Sequence, residues 1–194
     1  NMTFYNYELI NRGSTIIQDK YFGQWVDADL GCFQDDYVGC DVSRGLGYAY
    51  NGDAVDEDCG AFGYGTNPPA IGVDFFEGPY QDADGADNPL VADVNTALAT
   101  GGIPYKGIGI GYGDDVADNE RFGMRKFLYH NNDNTQTGDP TIASEYYSFM
   151  QGFWRDGTQM TFGDNGHGGT LAANYMFPGD SDPLNWGTLG IDPG

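Results

Sequence analysis

The run Asp82-Ala83-Asp84-Gly85-Ala86-Asp87-Asn88 carries the strongest chemical signal in the chain. Hard cations such as Ca²⁺ take roughly six to eight oxygens at about 2.3–2.6 Å, and alternate carboxylates on a glycine-hinged turn can converge on one point. The run is not an EF-hand loop, because Gly85 follows the second Asp and position 93 is Asp93 where a closing Glu belongs. A looser oxygen cage suits it better. A second candidate is Asp27 and Asp29 with Asp35, Asp36 and Asp41. A third is Asp53, Asp56, Glu57 and Asp58, and a fourth is Asp114, Asp115 and Asp118 with Asn119 and Glu120. Weaker groups are Asn132, Asp133, Asn134 and Asp139, then Asp180 and Asp182.

Asp and Asn also initiate turns and cap helices, so no single run proves an ion. Together they tilt the balance. Like carboxylates a few ångströms apart repel by several kcal/mol at an intermediate dielectric, so four such groups in one compact body call for counter-cations. At least one bound Ca²⁺ is expected.

Three cysteines, Cys32, Cys40 and Cys59, allow three pairings, and Cys40–Cys59 or Cys32–Cys40 would each staple an acidic loop in an oxidising setting. Their spacing is no zinc knuckle, and the two histidines, His130 and His167, are remote in sequence. Asn1-Met2-Thr3 matches a glycosylation sequon on Asn1. No nucleophile elbow, phosphate loop or H-E-x-x-H motif occurs, and Gly109, Gly111 and Gly113 do not complete a dinucleotide fingerprint. A carboxylate pair of the glycosidase kind is compatible with so many acids. Trp25, Trp154 and Trp186 could stack on sugars, although rings filling a core are the commoner use of such residues.

The elements that must hold these runs read mainly as strands. Met2–Asn11, Tyr21–Leu30, Gly45–Asn51, Ala70–Phe76, Ile103–Tyr112, Phe122–His130, Thr158–Phe162 and Asn174–Phe177 have aromatic or alternating character, and Gly31–Asp41, Gly52–Gly60 and Ala61–Asn67 read as loop or turn. Ala92–Gly102 is weakly helical. A firmer helix spans about 140–153, with Asp139 as cap, Pro140 in the first turn and a core-facing stripe of Ile142, Tyr146, Phe149 and Phe153. Strands between long polar loops predict a mainly β fold, an antiparallel, jelly-roll-like β-sandwich in a single domain over residues 1–194.

Composition narrows the partners. The chain of 194 residues carries 29 acidic and 8 basic side chains, a formal charge of −21, and 24 of the acids are Asp. Nucleic acid and anionic membrane surfaces are excluded as partners, since both need a basic face. Twenty-nine aromatic residues argue against the disorder that such charge otherwise implies. No apolar run suits a membrane span, and the reading is of a soluble chain, already processed or excised.

The runs DADLGCFQDDYVGCDVSRGLGYAYNGDAVDED, GYGTNPPAIGVDFFEGP, EYYSFMQGFWRDGT and NYMFPGDSDP give the chain, from about residue 21 onward, a resemblance to an uncharacterised region of large secreted or cell-surface proteins of Bacteroidota, typically exported by the type IX secretion pathway. The resemblance implies an extracellular location and a piece of something longer, and brings no activity with it. Lacking catalytic motifs, the sequence points first to a calcium-stabilised extracellular structural protein, acting in adhesion or as the repeating subunit of a surface fibre. In that reading Met2–Ile17 is either the first strand of its own sheet or a strand exchanged with a second copy. A calcium-dependent module that binds surface glycans is the runner-up, and an acid/base glycoside hydrolase comes third.

Overall fold

The computed structural model describes residues 1–60, 62–91, 93–102 and 109–194. Its largest sheet is antiparallel and three-stranded: β1 (Asp36–Asp41), β2 (Leu46–Asn51) and β5 (Ala70–Asp74), in the order β1-β2-β5. Two small antiparallel pairs accompany it, β3 (Val55–Asp56) with β4 (Gly65–Thr66) and β6 (Gly109–Ile110) with β7 (Arg121–Phe122). Among the described residues two α-helices, α1 (Val94–Thr100) and α2 (Ala143–Met150), and three single-turn 3-10 helices complete the regular structure.

The hairpin β1–β2 is in register from Asp36 opposite Asn51 to Asp41 opposite Leu46. Asp41 closes its turn by accepting from the Ser43 hydroxyl and from the Arg44 backbone and guanidinium. Gly47 is required in the middle of the sheet, because a Cβ there would meet the Phe127 ring at 2.6 Å. Helix α1 starts at Asp93, whose carboxylate accepts the Thr96 N–H at 2.8 Å, and ends at Gly101 in the left-handed region with φ 68°.

The layer against the main sheet is α1 and loops, with no second sheet packed face to face on it among the described residues. Cys40 and Val42 at the end of β1 pack with Val94 and Ala97 of α1 and with Tyr112, Met124, Tyr175 and Trp186. A smaller core holds Trp154, Met160 and Ala173, flanked by Leu128, Phe149 and Met176. Trp154 is fully buried and its indole N–H donates to the Gly166 carbonyl at 2.6 Å. These cores are closed by single bridges, Phe127 with Tyr175 and Thr161 with Ala172, where longer strands were expected over Phe122–His130, Thr158–Phe162 and Asn174–Phe177. The sandwich expectation therefore reduces to small antiparallel sheets in a chain that is largely irregular. Glycine and turn residues interrupt each apolar run before a ladder can extend.

Other expectations change as well. Met2–Asn11 and Tyr21–Leu30 form no strand, whereas Gly31–Asp41, read as loop, contains β1. Of Ile103–Tyr112, residues 103–108 lie outside the described residues and Gly109–Ile110 is strand. Helix α2 is shorter than 140–153: Ile142 is its N-cap, and the Glu145 carboxylate accepts from the backbone and hydroxyl of Thr141, so Asp139 does not cap it. Asp139 instead pairs with His130 at 2.9 Å. Of the expected core stripe, Phe149 meets Trp154 edge to face, while Ile142 and Tyr146 remain at least half exposed.

Candidate metal centre

The chain folds its four acidic runs into two regions. In the first, the loop before β1 meets the turn after β2, and Asp35, Asp53 and Glu57 bring carboxylate oxygens within 4.8 Å of one another. The hairpin register is what joins them. Asp36 stands opposite Asn51, and the Gly52 N–H donates to the Asp35 carbonyl at 2.8 Å, so both strand ends finish at one edge. Three side-chain oxygens here are buried and receive no hydrogen bond: Asp35 Oδ1, Asp36 Oδ1 and Asn51 Oδ1. Burial raises the Asp36 pKa against the Leu30 N–H that opposes it, and the charges of Asp35, Asp56 and Asp29 push it further up. Asp53 Oδ1 accepts the Val55 N–H at 2.8 Å.

A disulfide frames this region. Cys32 bonds Cys59, the pairing that the sequence reading did not favour, and Cys40 is free and buried. Burial, then Asp182 and Asp41, push the Cys40 thiol up to about 12, so it stays protonated and donates to the Met176 carbonyl. Asp56 is 2% exposed and its two oxygens accept the Cys32 and Tyr64 N–H groups at 2.8 and 2.6 Å. It is a structural carboxylate that organises the disulfide loop. Asp58 accepts from the Gly63 N–H, Asp27 and Asp29 sit exposed on the preceding segment, and Asp41 lies at the other end of β1, about 17 Å away at a strand's rise per residue. Hydrogen bonds from Ser43 and Arg44 hold Asp41 below the usual carboxylate range despite its burial, and it belongs to the hairpin turn.

The second region joins Asp82–Asn88 to Asp114–Glu120, with oxygens of Asp82, Asp84 and Asp118 within 4.8 Å of one another. Backbone donors occupy much of it. Asp118 accepts from Gly85, Asp84 from Ala86, and Asp87 from both Gly113 and Asp115, all at 2.6–2.9 Å. Asp114 accepts from Val116 and Asn119, and the backbone of Asp115 is left-handed at φ 67°. Asn88 and Glu120 are buried behind these loops. Glu120 is 1% exposed, and its Oε1 accepts the Asn88 N–H at 2.5 Å. Glu120 Oε2, Asn88 Oδ1 and Asn119 Oδ1 are buried without a hydrogen-bond donor.

The weaker candidates serve local turns: Asp133 accepts twice from Thr135, and Asp182 from the Trp186 and Gly187 N–H groups. Asn1 is exposed at the start of the chain. Asn51, whose buried Oδ1 receives no hydrogen bond, is the residue beside this cluster that sequence reasoning missed, and its signal was the Asn-Gly-Asp step closing a strand directly before an acidic turn.

Acidic groups placed to hold a metal ion thus exist in both regions. Of the tryptophans, Trp154 and Trp186 are buried, and Trp25, half exposed, leans on His130 and Tyr146. No described helix is long and apolar enough to cross a membrane. Comparison with known proteins returns no matching family model, no matching curated protein and no matching solved structure.

Proposed function

We propose that this chain is an extracellular structural module that self-associates through its N-terminal arm, as the subunit of a surface fibre or adhesive array, with Ca²⁺ as the cation for its acidic loops. The arm carries the reading. Among the described residues no strand pairs with residues 1–17, and Phe4, Tyr5, Tyr7, Leu9, Ile10 and Ile16 are each more than half exposed. Contiguous exposed apolar side chains of this kind mark an interaction surface.

The occupant that fits is a second copy of the chain. Among the described residues no segment pairs with the outer edge of β5, which presents unpaired backbone groups beside the exposed Ile71. An extended arm can add to such an edge, with backbone hydrogen bonds supplying affinity and alternate side chains supplying register. The disulfide supports an oxidising, extracellular location. Light scattering and negative-stain microscopy of the full chain and of a chain lacking residues 1–17 test the reading. The full chain is expected to form oligomers or filaments and the shortened chain folded monomers. A full chain that stays monomeric at every concentration, or a shortened chain that fails to fold, would overturn it.

A calcium-dependent carbohydrate-binding role is favoured by one feature, a shallow pocket of about 340 Å³ where Phe75 and Phe76 stand beside Arg44, Asp74 and Glu77. A glycan array with and without chelator separates the two readings, because a fibre subunit shows no defined sugar preference.

A further inference from the structure

We propose that the first acidic region is a Ca²⁺ site at the open end of the β1–β2 hairpin, built from Asp35, Asp36, Asn51, Asp53 and Glu57. The site deepens the calcium part of the function proposed above and depends on side chains from residue 35 onward only.

Asn51 is the observation that separates this region from an ordinary acidic turn. It is 6% exposed, and its amide N–H groups lie toward the carbonyls of Asp53 and Val55 at 3.4 and 3.5 Å, which leaves Oδ1 with no donor. The register puts Asn51 opposite Asp36, and residues opposite each other in an antiparallel pair share a sheet face with Cβ atoms about 4.5–5.5 Å apart. Asp36 Oδ1 and Asp35 Oδ1 are likewise buried and without donors. Burying a polar oxygen with no partner costs on the order of a few kcal/mol, and three at one edge would accumulate that penalty together with mutual repulsion.

A cation removes both terms. Among the described residues the cluster has no basic side chain to serve: its hydrogen bonds come from backbone N–H groups, Leu30 to Asp36 Oδ2 and Val55 to Asp53 Oδ1. The donors are all oxygen, four carboxylates and one amide, which selects a hard ion and disfavours zinc. Five side-chain ligands leave room for water to complete a set of roughly six to eight, a number suited to Ca²⁺ more than to the strict octahedron of Mg²⁺. An ion there ties the loop before β1, the end of β2 and the turn after it. The same loop is tied in by the Leu30 N–H on Asp36 and by the disulfide at Cys32, while residues 19–25 lie against α2 between this loop and the arm.

Calorimetric titration of the chelator-treated full chain with CaCl₂ alone tests the site. Binding is expected at a Kd of about 10⁻³ M or tighter, the range of extracellular calcium modules. Asp53→Asn with Glu57→Gln keeps the shapes, removes two charges and is expected to weaken binding at least about tenfold, since affinity follows ligand charge. Asp84→Asn with Asp118→Asn, in the second region, should leave that binding step within about twofold of wild type, the additivity expected of distant sites.

Should the first variant fail to fold by near-UV circular dichroism, Asn51→Asp decides: it is expected to tighten Ca²⁺ binding and to lower the melting temperature in chelator. Wild type without a binding step overturns the site. So does a folded Asp53/Glu57 variant that titrates like wild type, or an Asn51→Asp variant with unchanged affinity. Light scattering on the same samples keeps the two proposals apart. A monomeric chain whose calcium step vanishes in the Asp53/Glu57 variant refutes self-association and retains the site, and oligomers with an unaltered calcium step in that variant do the reverse.

Discussion

The two acid-rich regions differ in who satisfies their oxygens. Around Asp82–Asn88 the chain itself does so: Gly85, Ala86, Gly113 and Asp115 direct their N–H groups at Asp118, Asp84 and Asp87, and the loops lock together by hydrogen bonds. The buried oxygens left without donors there belong to Asn88, Asn119 and Glu120, none of which is among the three converging carboxylates. Around Asp35 the converging carboxylate is itself one of the oxygens without a donor, and its neighbours Asp36 and Asn51 are the others. Density of Asp along a sequence is therefore a poor guide to where an ion is needed. The supply of backbone donors decides, and glycine-bearing turns such as Asp84-Gly85-Ala86 bring their own.

Breaking the covalent frame of the first region should have the largest effect. Cys32 and Cys59 are 27 residues apart, and removing a cross-link that closes a loop of this length is expected to cost about 3 kcal/mol in urea unfolding. The stability gap between Ca²⁺ and chelator should shrink in a Cys32→Ser, Cys59→Ser variant, because the disulfide loop carries the turn that holds Asp53 and Glu57. An undiminished gap would show that the region holds its shape without the bond. Next in size is Gly31→Ala. Gly31 has φ 79°, and a Cβ there would stand 1.9 Å from Asp56 Oδ2. Displacing Asp56 from the Cys32 and Tyr64 N–H groups, added to the left-handed backbone cost, should lower stability by about 2 kcal/mol, whereas Gly85→Ala, with nothing near its Cβ, should lower it by no more than about 1 kcal/mol. Equal losses at the two glycines would contradict the contrast drawn between the regions.

Much of this was legible in the sequence, and the exceptions share a cause. Gly45–Asn51 and Ala70–Phe76 were readable as strands because aromatic or aliphatic residues alternate there, whereas α1, with Asn95, Thr96 and Thr100 among its seven residues, showed only as weak helical character over Ala92–Gly102. Strand β1 was hidden because Asp36, Gly39 and Asp41 make it resemble a turn; it is a strand because it lies beside β2 and the Phe177 carbonyl accepts from Cys40. The arm misled in the opposite sense. Its residues alternate like a strand, yet pairing requires a partner edge, and none among the described residues takes it. The four acidic runs were visible individually, but their pairwise union depends on the hairpin register and on contacts spanning about thirty residues, Asp87 to Asp115 among them. No local pattern encodes that.

The smallest effect offers the sharpest contrast, because it predicts opposite signs. Asp156 is a carboxylate well supplied with donors: the Thr158 N–H and hydroxyl at 2.9 and 2.6 Å, and His167 Nε2 at 2.9 Å. Burial works against it, but these bonds hold its pKa down at about 2, from an ordinary 3.8. A lowered carboxylate stabilises the fold above its unfolded value and loses that contribution as pH falls through its folded value. With the pair about one-third exposed, solvent screening reduces the benefit to roughly 1 kcal/mol. Asp156→Asn should therefore cost about that much at pH 7 and flatten the stability curve between about pH 4 and 2. Asp36 is the converse. Its pKa is raised, so its contribution favours the fold below the ordinary carboxylate value and fades as pH rises through the raised one. In chelator at pH 7, Asp36→Asn should leave stability unchanged or increased, and adding CaCl₂ should restore the advantage of the wild-type residue. Urea midpoints of both variants across pH 2–7, with and without calcium, check this. Losses of the same sign in chelator would mean that Asp36 already has the partners it is argued to lack, and that the two kinds of carboxylate do not differ.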